Sequence, residues 1–229
     1  MKKKLKKIYS IIFIILNKLI NHNIKIKKTF VFLSKFNVKK SNELRLNNSC
    51  VERSSISIEG KNNIIEIQGF LSNSKINIWG TNNQITIHPS VKINNSTIVL
   101  RGSNCKIEIG KGSTFGGIHM VCMGGNNYIK VGENCMFAEN IDLWATDSHP
   151  IFNIENELIN PSKPVIIGDY VWVGAKCSIL KGVSIGSGSI IGMSSIVTKN
   201  VDEKTLNVGN PLRCIKNNIR WKREFINSN

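Results

Sequence analysis

An all-β solenoid of parallel strands is the fold this sequence predicts, and three observations carry the prediction. Ile167, Val173, Ile179, Ile185, Ile191 and Val197 stand six apart, and Gly168, Gly174 and Gly186 follow three of them. Upstream, SISIEGKNNIIEI, KINIWGTNNQITI, TIVLRGSNCKIEI and HMVCMGGNNYIKV repeat around Gly60, Gly80, Gly102 and Gly124, at spacings of 20, 22 and 22. Between the two series, Val131, Phe137 and Leu143 already hold the six-residue register. One inward aliphatic residue in six suits a short strand, a corner and another short strand, whereas a helix would repeat at three and four.

Residues 1–45 read as a separate N-terminal segment. Residues 1–40 hold 12 Lys and no acidic residue, and a Lys cluster precedes an apolar run from Ile8 to Leu16. That run is too short to cross a hydrocarbon core, which takes about 20 helical residues, and no small-x-small cleavage site follows it. Two readings stand side by side. One is a helix in peripheral contact with the anionic inner face of a membrane, each nearby Lys contributing about 1 kcal/mol. The other is a helix packed on the solenoid. The solenoid itself is expected over 46–215. In its long coils apolar and polar residues alternate as strands, Ile76 and Ile78 then Ile85 and Ile87, while Gly-x-Asn-Asn supplies the positive-φ positions of a tight corner. Asn side chains at such corners can stack as ladders between coils.

Continuing the coil spacing from Gly124 lands on Ala145, inside IDLWATDSHPI, where the corner gives way to an excursion over 149–164. A loop of about 15 residues in a compact solenoid points to function. Hexad order resumes at Ile167 and ends after Val197. Residues 216–229 are expected to cap the last coil with a short basic helix, because an uncovered coil exposes strand edges.

The formal net charge of +16 is concentrated in the N-terminal segment, and the remaining 189 residues carry 19 basic against 15 acidic groups. With no nucleic-acid module in the chain, a nucleic-acid partner is not expected. Cys50, Cys105, Cys122, Cys135, Cys177 and Cys214 are scattered, without a CxxC pair or zinc-like spacing. No metal is therefore expected, and the thiols fit a reducing, cytoplasmic compartment. Cys105, Cys135 and Cys177 fall at solenoid positions and are expected to be buried.

The ordered motifs TDSHPI, NPSKPVIIGDYVWVGAKCSILKGVSIG, IIGMSSIVTKNV and VGNPLRCIK, over about residues 131–217, resemble the hexapeptide-repeat acyltransferases that use acetyl-coenzyme A. TDSHPIFNIENELIN, the Trp172 hexad and KNNIRWKRE are most similar to the capsular polysialic-acid O-acetyltransferases, from which the lysine-rich N-terminus departs. The resemblance implies a left-handed parallel β-helix, a homotrimer with active sites at the subunit clefts, acetyl-CoA as co-substrate, and O-acetylation of a bacterial surface glycan. An N-acetyltransferase of an amino-sugar nucleotide and a noncatalytic, glycan-binding or scaffold solenoid are the alternative readings.

Acetyl transfer from a thioester to a hydroxyl requires the alcohol to lose its proton as it attacks, which suits a neutral imidazole. His149 opens the excursion beside Pro150 and matches the family's catalytic histidine in its position relative to the Trp172 hexad. It is the candidate base, a structural corner histidine being the alternative. Asp147 or Asp142 is the candidate carboxylate to fix its tautomer. Trp172, by the resemblance, lines the cleft; packing between subunits is its other reading. Trp144, His119 and Asp142 are candidate acceptor contacts. By the resemblance, Ala175, Met193, Thr198, Lys199 and Arg213 occupy coenzyme A positions, Met193 departing from the small residue often found there. His22 and His88 read as surface residues.

Overall fold

The computed structural model of the protein describes residues 2–20, 22–224 and 226. One helix, Lys2–Ile20, precedes a run of short strands that wind as three parallel faces. Face 1 stacks eight strands from Ile24–Lys27 to Ser184–Ile185, and face 3 stacks eight from Lys35–Val38 to Ile196–Val197. Face 2 stacks ten, from Phe30–Phe32 through Ile190–Ile191 to Leu206–Val208 and Arg213–Lys216. Each coil visits the faces in the order 1, 2, 3, and each strand pairs with its counterpart one coil on: Ile24 with Leu44, Leu44 with Ile65, Ile85 with Ile107. The core is the inside of this triangular coil. Val131, Phe137, Leu143 and the six later hexad residues are all at most 2% exposed, and Phe115 stacks on Phe137 with ring centroids 4.6 Å apart.

Two columns at the corners hold the long coils in register. Gly60, Gly80, Gly102 and Gly124 stack with φ of +91°, +129°, +130° and +107°. A Cβ on Gly80 would lie 1.9 Å from the Gly102 carbonyl oxygen, so only glycine fits there. Beside them runs the expected Asn ladder: Asn42 Oδ1 accepts from Asn63 N, Asn63 Oδ1 from Asn83 N, and Asn83 Oδ1 from Cys105 N, at 2.9 to 3.0 Å. A second ladder, of serines, was not anticipated. Ser34, Ser54, Ser74 and Ser96 each accept from the backbone N–H one coil on, at 3.1 to 3.2 Å.

Two expectations about the ends are corrected. The solenoid begins at Ile24 rather than at 46, because Ile24, Val31, Leu44 and Leu46 already fill the interior of the first two coils. The helix before it covers the open end of the first coil: Ser10 Oγ accepts the Val31 N–H at 2.9 Å, and Tyr9 and Phe13 set their rings edge-on to Phe32 and Phe36, each at 5.4 Å. At the other end no helix forms among the described residues. Arg213–Lys216 turns back antiparallel on Leu206–Val208, and the following segment runs along face 2, where Trp221 Nε1 donates to the Tyr170 carbonyl at 2.7 Å. Arg223 donates to Thr114 Oγ1 and to the carbonyls of Gly112 and Cys135. These side-chain anchors on earlier coils hold the tail extended and outcompete helix formation. Cys105, Cys122, Cys135 and Cys177 are buried, and all six cysteines are free thiols.

Candidate active site

The strand Ile141–Trp144 of face 3 should turn directly into face 1. Instead Ala145 starts the excursion, and Ile129 finds its face 1 partner only at Val165. The excursion is a small hairpin. Phe152 bridges Leu158 antiparallel, Asn153 N donates to the Glu157 carbonyl at 3.0 Å, and Ile159 N to the Ile151 carbonyl at 2.9 Å. His149 stands at its base, exposed, with its N–H donating to the Asp147 carbonyl at 2.8 Å and its carbonyl accepting from Asn160 Nδ2 at 2.9 Å. Its backbone is held by these bonds, while its ring makes no hydrogen bond among the described residues.

Asp147 is committed elsewhere. Its Oδ2 accepts from Lys181 Nζ and from Asn160 Nδ2, the latter at 3.0 Å. The Lys181 hydrogen bond holds the Asp147 carboxyl below the usual carboxylate range, with Asn160 adding to it and burial opposing. Lys181 also donates to the carbonyls of Asn160 and Pro161 at 2.9 and 3.2 Å, and Asn160 Oδ1 accepts the Ile151 N–H at 2.6 Å. In this chain Asp147 therefore pins the foot of the excursion and does not hydrogen-bond the His149 ring. Sequence reasoning missed Lys181 and Asn160. Lys181 could have been noticed as a long cation at a hexad corner, but nothing in the sequence marks Asn160.

The other expected carboxylate, Asp142, lies beside His119 on face 3, where the two pair across adjacent coils with His119 Nδ1 and Asp142 Oδ1 3.6 Å apart. The His119 ring also meets Trp144 edge-on at 5.2 Å. Asp142, His119 and Trp144 are thus one cluster, of which Asp142 and His119 border a cleft of about 510 Å³ at the corner between faces 2 and 3, lined also by Gly116, Gly117, Glu139 and Asn140. Ala175 and Met193 continue the same corner on the next coils: Lys176 N donates to the Glu139 carbonyl and Ser194 N to the Ala175 carbonyl. Thr198 and Lys199 line a separate pocket of about 220 Å³ at the last coil with Asp202, Pro211 and Leu212, and exposed Arg213 follows Leu212.

Trp172 is not brought beside His149, although Ala175 follows it on the same coil. It lies on face 2, 36% exposed, between Met136 and Ile190 of the neighbouring coils, with the Trp221 ring 5.9 Å away. His149 belongs to the excursion between faces 3 and 1, so His149 and Trp172 stand on different sides of one chain. His88 pairs with Glu108 at the surface, 3.2 Å apart, and His22 is exposed. Among the described residues no group of three His, Cys, Asp or Glu side chains is placed to hold a metal ion.

Residues 164–199 match the family profile described as bacterial transferase hexapeptide, six repeats. A polysialic acid O-acetyltransferase of Escherichia coli O1:K1 is 43% identical over 91 residues, a stretch that spans 39% of this chain and only 30% of that protein. The crystal structure of the polySia-specific acetyltransferase NeuO superposes with a TM-score of 0.70 and 35% identity, covering 88% of this chain and 90% of that one. The polysialic acid O-acetyltransferase OatWY superposes with a TM-score of 0.65 and 27% identity, covering 89% and 94%.

Proposed function

Because the chain belongs to the hexapeptide-repeat acyltransferases, whose left-handed parallel β-solenoid it shares, we propose that it transfers acetyl from acetyl-CoA to a hydroxyl of a bacterial surface glycan, a sialic-acid polymer first among the acceptors. The observation that carries this is the likeness to the polySia-specific acetyltransferase along nearly the whole of both chains, with a solvent-facing histidine on the segment that interrupts the coil.

In the proposed reaction, His149 takes the proton of the acceptor hydroxyl as its oxygen attacks the acetyl carbonyl carbon. The C–S bond of the thioester breaks, and the proton passes from the imidazole to the departing thiolate of coenzyme A. Asp147, Asn160 and Lys181 hold the backbone of His149 in place without touching the reacting atoms. The oxyanion of the tetrahedral intermediate requires a donor, for which the backbone N–H groups along the solenoid corner are suited. Coenzyme A is assigned to the corner bearing Ala175 and Met193, with Thr198, Lys199 and Arg213 at its phosphate end. His119, Asp142 and Trp144 are assigned to the acceptor, Trp144 offering an apolar platform for a sugar ring.

A homotrimer completes this assignment. Since His149 and Trp172 lie on different sides of one chain, a cleft that uses both has to join two copies. The excursion offers the means, its hairpin exposing Ile151, Phe152, Ile154 and Leu158, with Ile154 98% exposed. Free thiols and the need for acetyl-CoA are consistent with a cytoplasmic site of action.

Coenzyme A release from acetyl-CoA, measured with polysialic acid, neutral capsular glycans and sugar nucleotides as acceptors, tests the reading. The expected result is acceptor-dependent release that falls by about a hundredfold or more in His149→Ala. The melting temperature should not change, because the ring holds no hydrogen bond among the described residues. Equal turnover by the two proteins would remove His149 from the mechanism. Release only with amino-sugar nucleotides would replace O-acetylation by N-acetylation.

A further inference from the structure

The N-terminal helix has two apolar faces, and only one is used by the fold. Ser10 and Phe13 point at the first coil. At 3.6 residues per turn, Leu5, Ile8 and Ile12 form a second stripe, and they are 60%, 49% and 52% exposed, with Ile11 beside them at 51% and Tyr9, 37% exposed and edge-on to Phe32, at the border with the first face. Leu5, Lys6, Ile8, Tyr9, Ile12 and Phe32 border an apolar surface groove. No helix among the described residues is long and apolar enough to cross a membrane. A helix with an apolar stripe and a cationic margin lies instead in the plane of a lipid interface.

We propose that this stripe docks the protein peripherally on an anionic lipid bilayer. Charge decides between lipid and a second copy of the helix. Lys2, Lys3, Lys4, Lys6 and Lys7 fall in its first two turns, and no acidic residue occurs before Glu43. Two such helices laid stripe to stripe would set lysines against lysines if parallel and would offer the lysines no acidic residue if antiparallel, whereas anionic headgroups meet both the lysines and the apolar stripe. Lys6 is turned toward the coil, 3.8 Å from Glu52 and over the Phe32 ring at 4.7 Å, which leaves Lys7 exposed to solvent. The proposal is independent of the acetyl-transfer reading, because it rests on the helix alone.

The test is flotation of the full-length protein with vesicles of phosphatidylcholine alone, or with about one-third phosphatidylglycerol, at low and high salt. Binding should be confined to the anionic vesicles and weaken at least tenfold in high salt. Ile8→Glu/Ile12→Glu should weaken it by about tenfold or more while keeping the wild-type melting curve. Lys7→Glu, at an exposed position with no ion-pair partner among the described residues, is the second variant and should weaken binding without affecting the fold. Absence of binding, equal binding to neutral and anionic vesicles, or unaltered binding by both variants would overturn the proposal. So would a stripe variant that changes the particle mass in light scattering but not the flotation, since that would assign the stripe to contact between copies.

Discussion

Asn63→Ala removes the best-connected rung of the Asn ladder, and the structure allows its cost to be worked out. The Asn63 side chain is fully buried. Its Nδ2 donates to Asn42 Oδ1, the Glu59 carbonyl and the Gly80 carbonyl at 2.9, 2.9 and 2.8 Å, and its Oδ1 accepts from Asn83 N at 2.9 Å. Two amide hydrogens serve the three acceptors, so about two full donor bonds are lost at about 1 kcal/mol each. The stranded Asn83 N–H adds its own desolvation, about 1–3 kcal/mol, giving a total of about 3–5 kcal/mol. Ser74→Ala is the internal scale. Ser74 Oγ makes only two such bonds, to the Ser72 carbonyl at 2.7 Å and from Ser96 N at 3.1 Å, and its loss should cost about 2–4 kcal/mol. Solenoids unfold coil by coil, so native-state hydrogen exchange is the appropriate assay. Amides of the strands Ser55–Lys61 and Lys75–Thr81 should lose protection by about a hundredfold or more in Asn63→Ala. A loss below about 1 kcal/mol, or a larger one in Ser74→Ala, would refute the reasoning that buried ladder bonds hold the coils together.

Gly80→Ala should be more damaging still. The new Cβ would meet a backbone oxygen at 1.9 Å with φ at +129°, a clash and a strain that together exceed about 3 kcal/mol; soluble yield and melting temperature report it, and a wild-type melt would contradict the close stacking. Lys181→Met should loosen the foot of the excursion, seen as faster proteolytic cleavage within 150–160. The sign of its pH dependence follows from Asp147, whose folded pKa is depressed by Lys181. The anchoring contribution of the ionised carboxylate is present above the unfolded value of about 3.9 and is lost as pH falls through the lower folded value. Carbon-13 titration of the Asp147 carboxyl should therefore shift upward in Lys181→Met, and an unchanged curve would remove Lys181 as the cause.

The interior of the fold was legible because its repeat is strict. Val131, Phe137 and Leu143, placed by counting back in sixes, are buried as that count requires. The first two coils escaped because their outward positions carry lysines and phenylalanines, and the corner at Ser41 and Asn42 lacks the preceding glycine, although Asn42 joins the same ladder. The C-terminal helix was misread for a similar reason. KNNIRWKREF has helical composition, but Trp221 and Arg223 find partners on coils laid down far earlier in the chain, and no local pattern reports so long-range a contact. At the site, the position of His149 was readable from the break in the repeat. The partner of Asp147 was not, because Lys181 reaches it across the full length of the excursion.

Stacked coils also make a ruler. The helix closes the first coil and the excursion leaves the sixth, so five steps of about 4.8 Å set His149 some 24 Å along the axis from the capped end. The glycine and asparagine columns permit this distance to change only by a whole coil, since smaller insertions, such as the two residues that separate coils of 20 and 22, are taken up at a corner and leave the columns in register. Reach is therefore quantised. Relatives of this chain that gained or lost one coil of about 20 residues would move their chemistry by a single strand spacing toward or away from the end, while every interior contact kept its place.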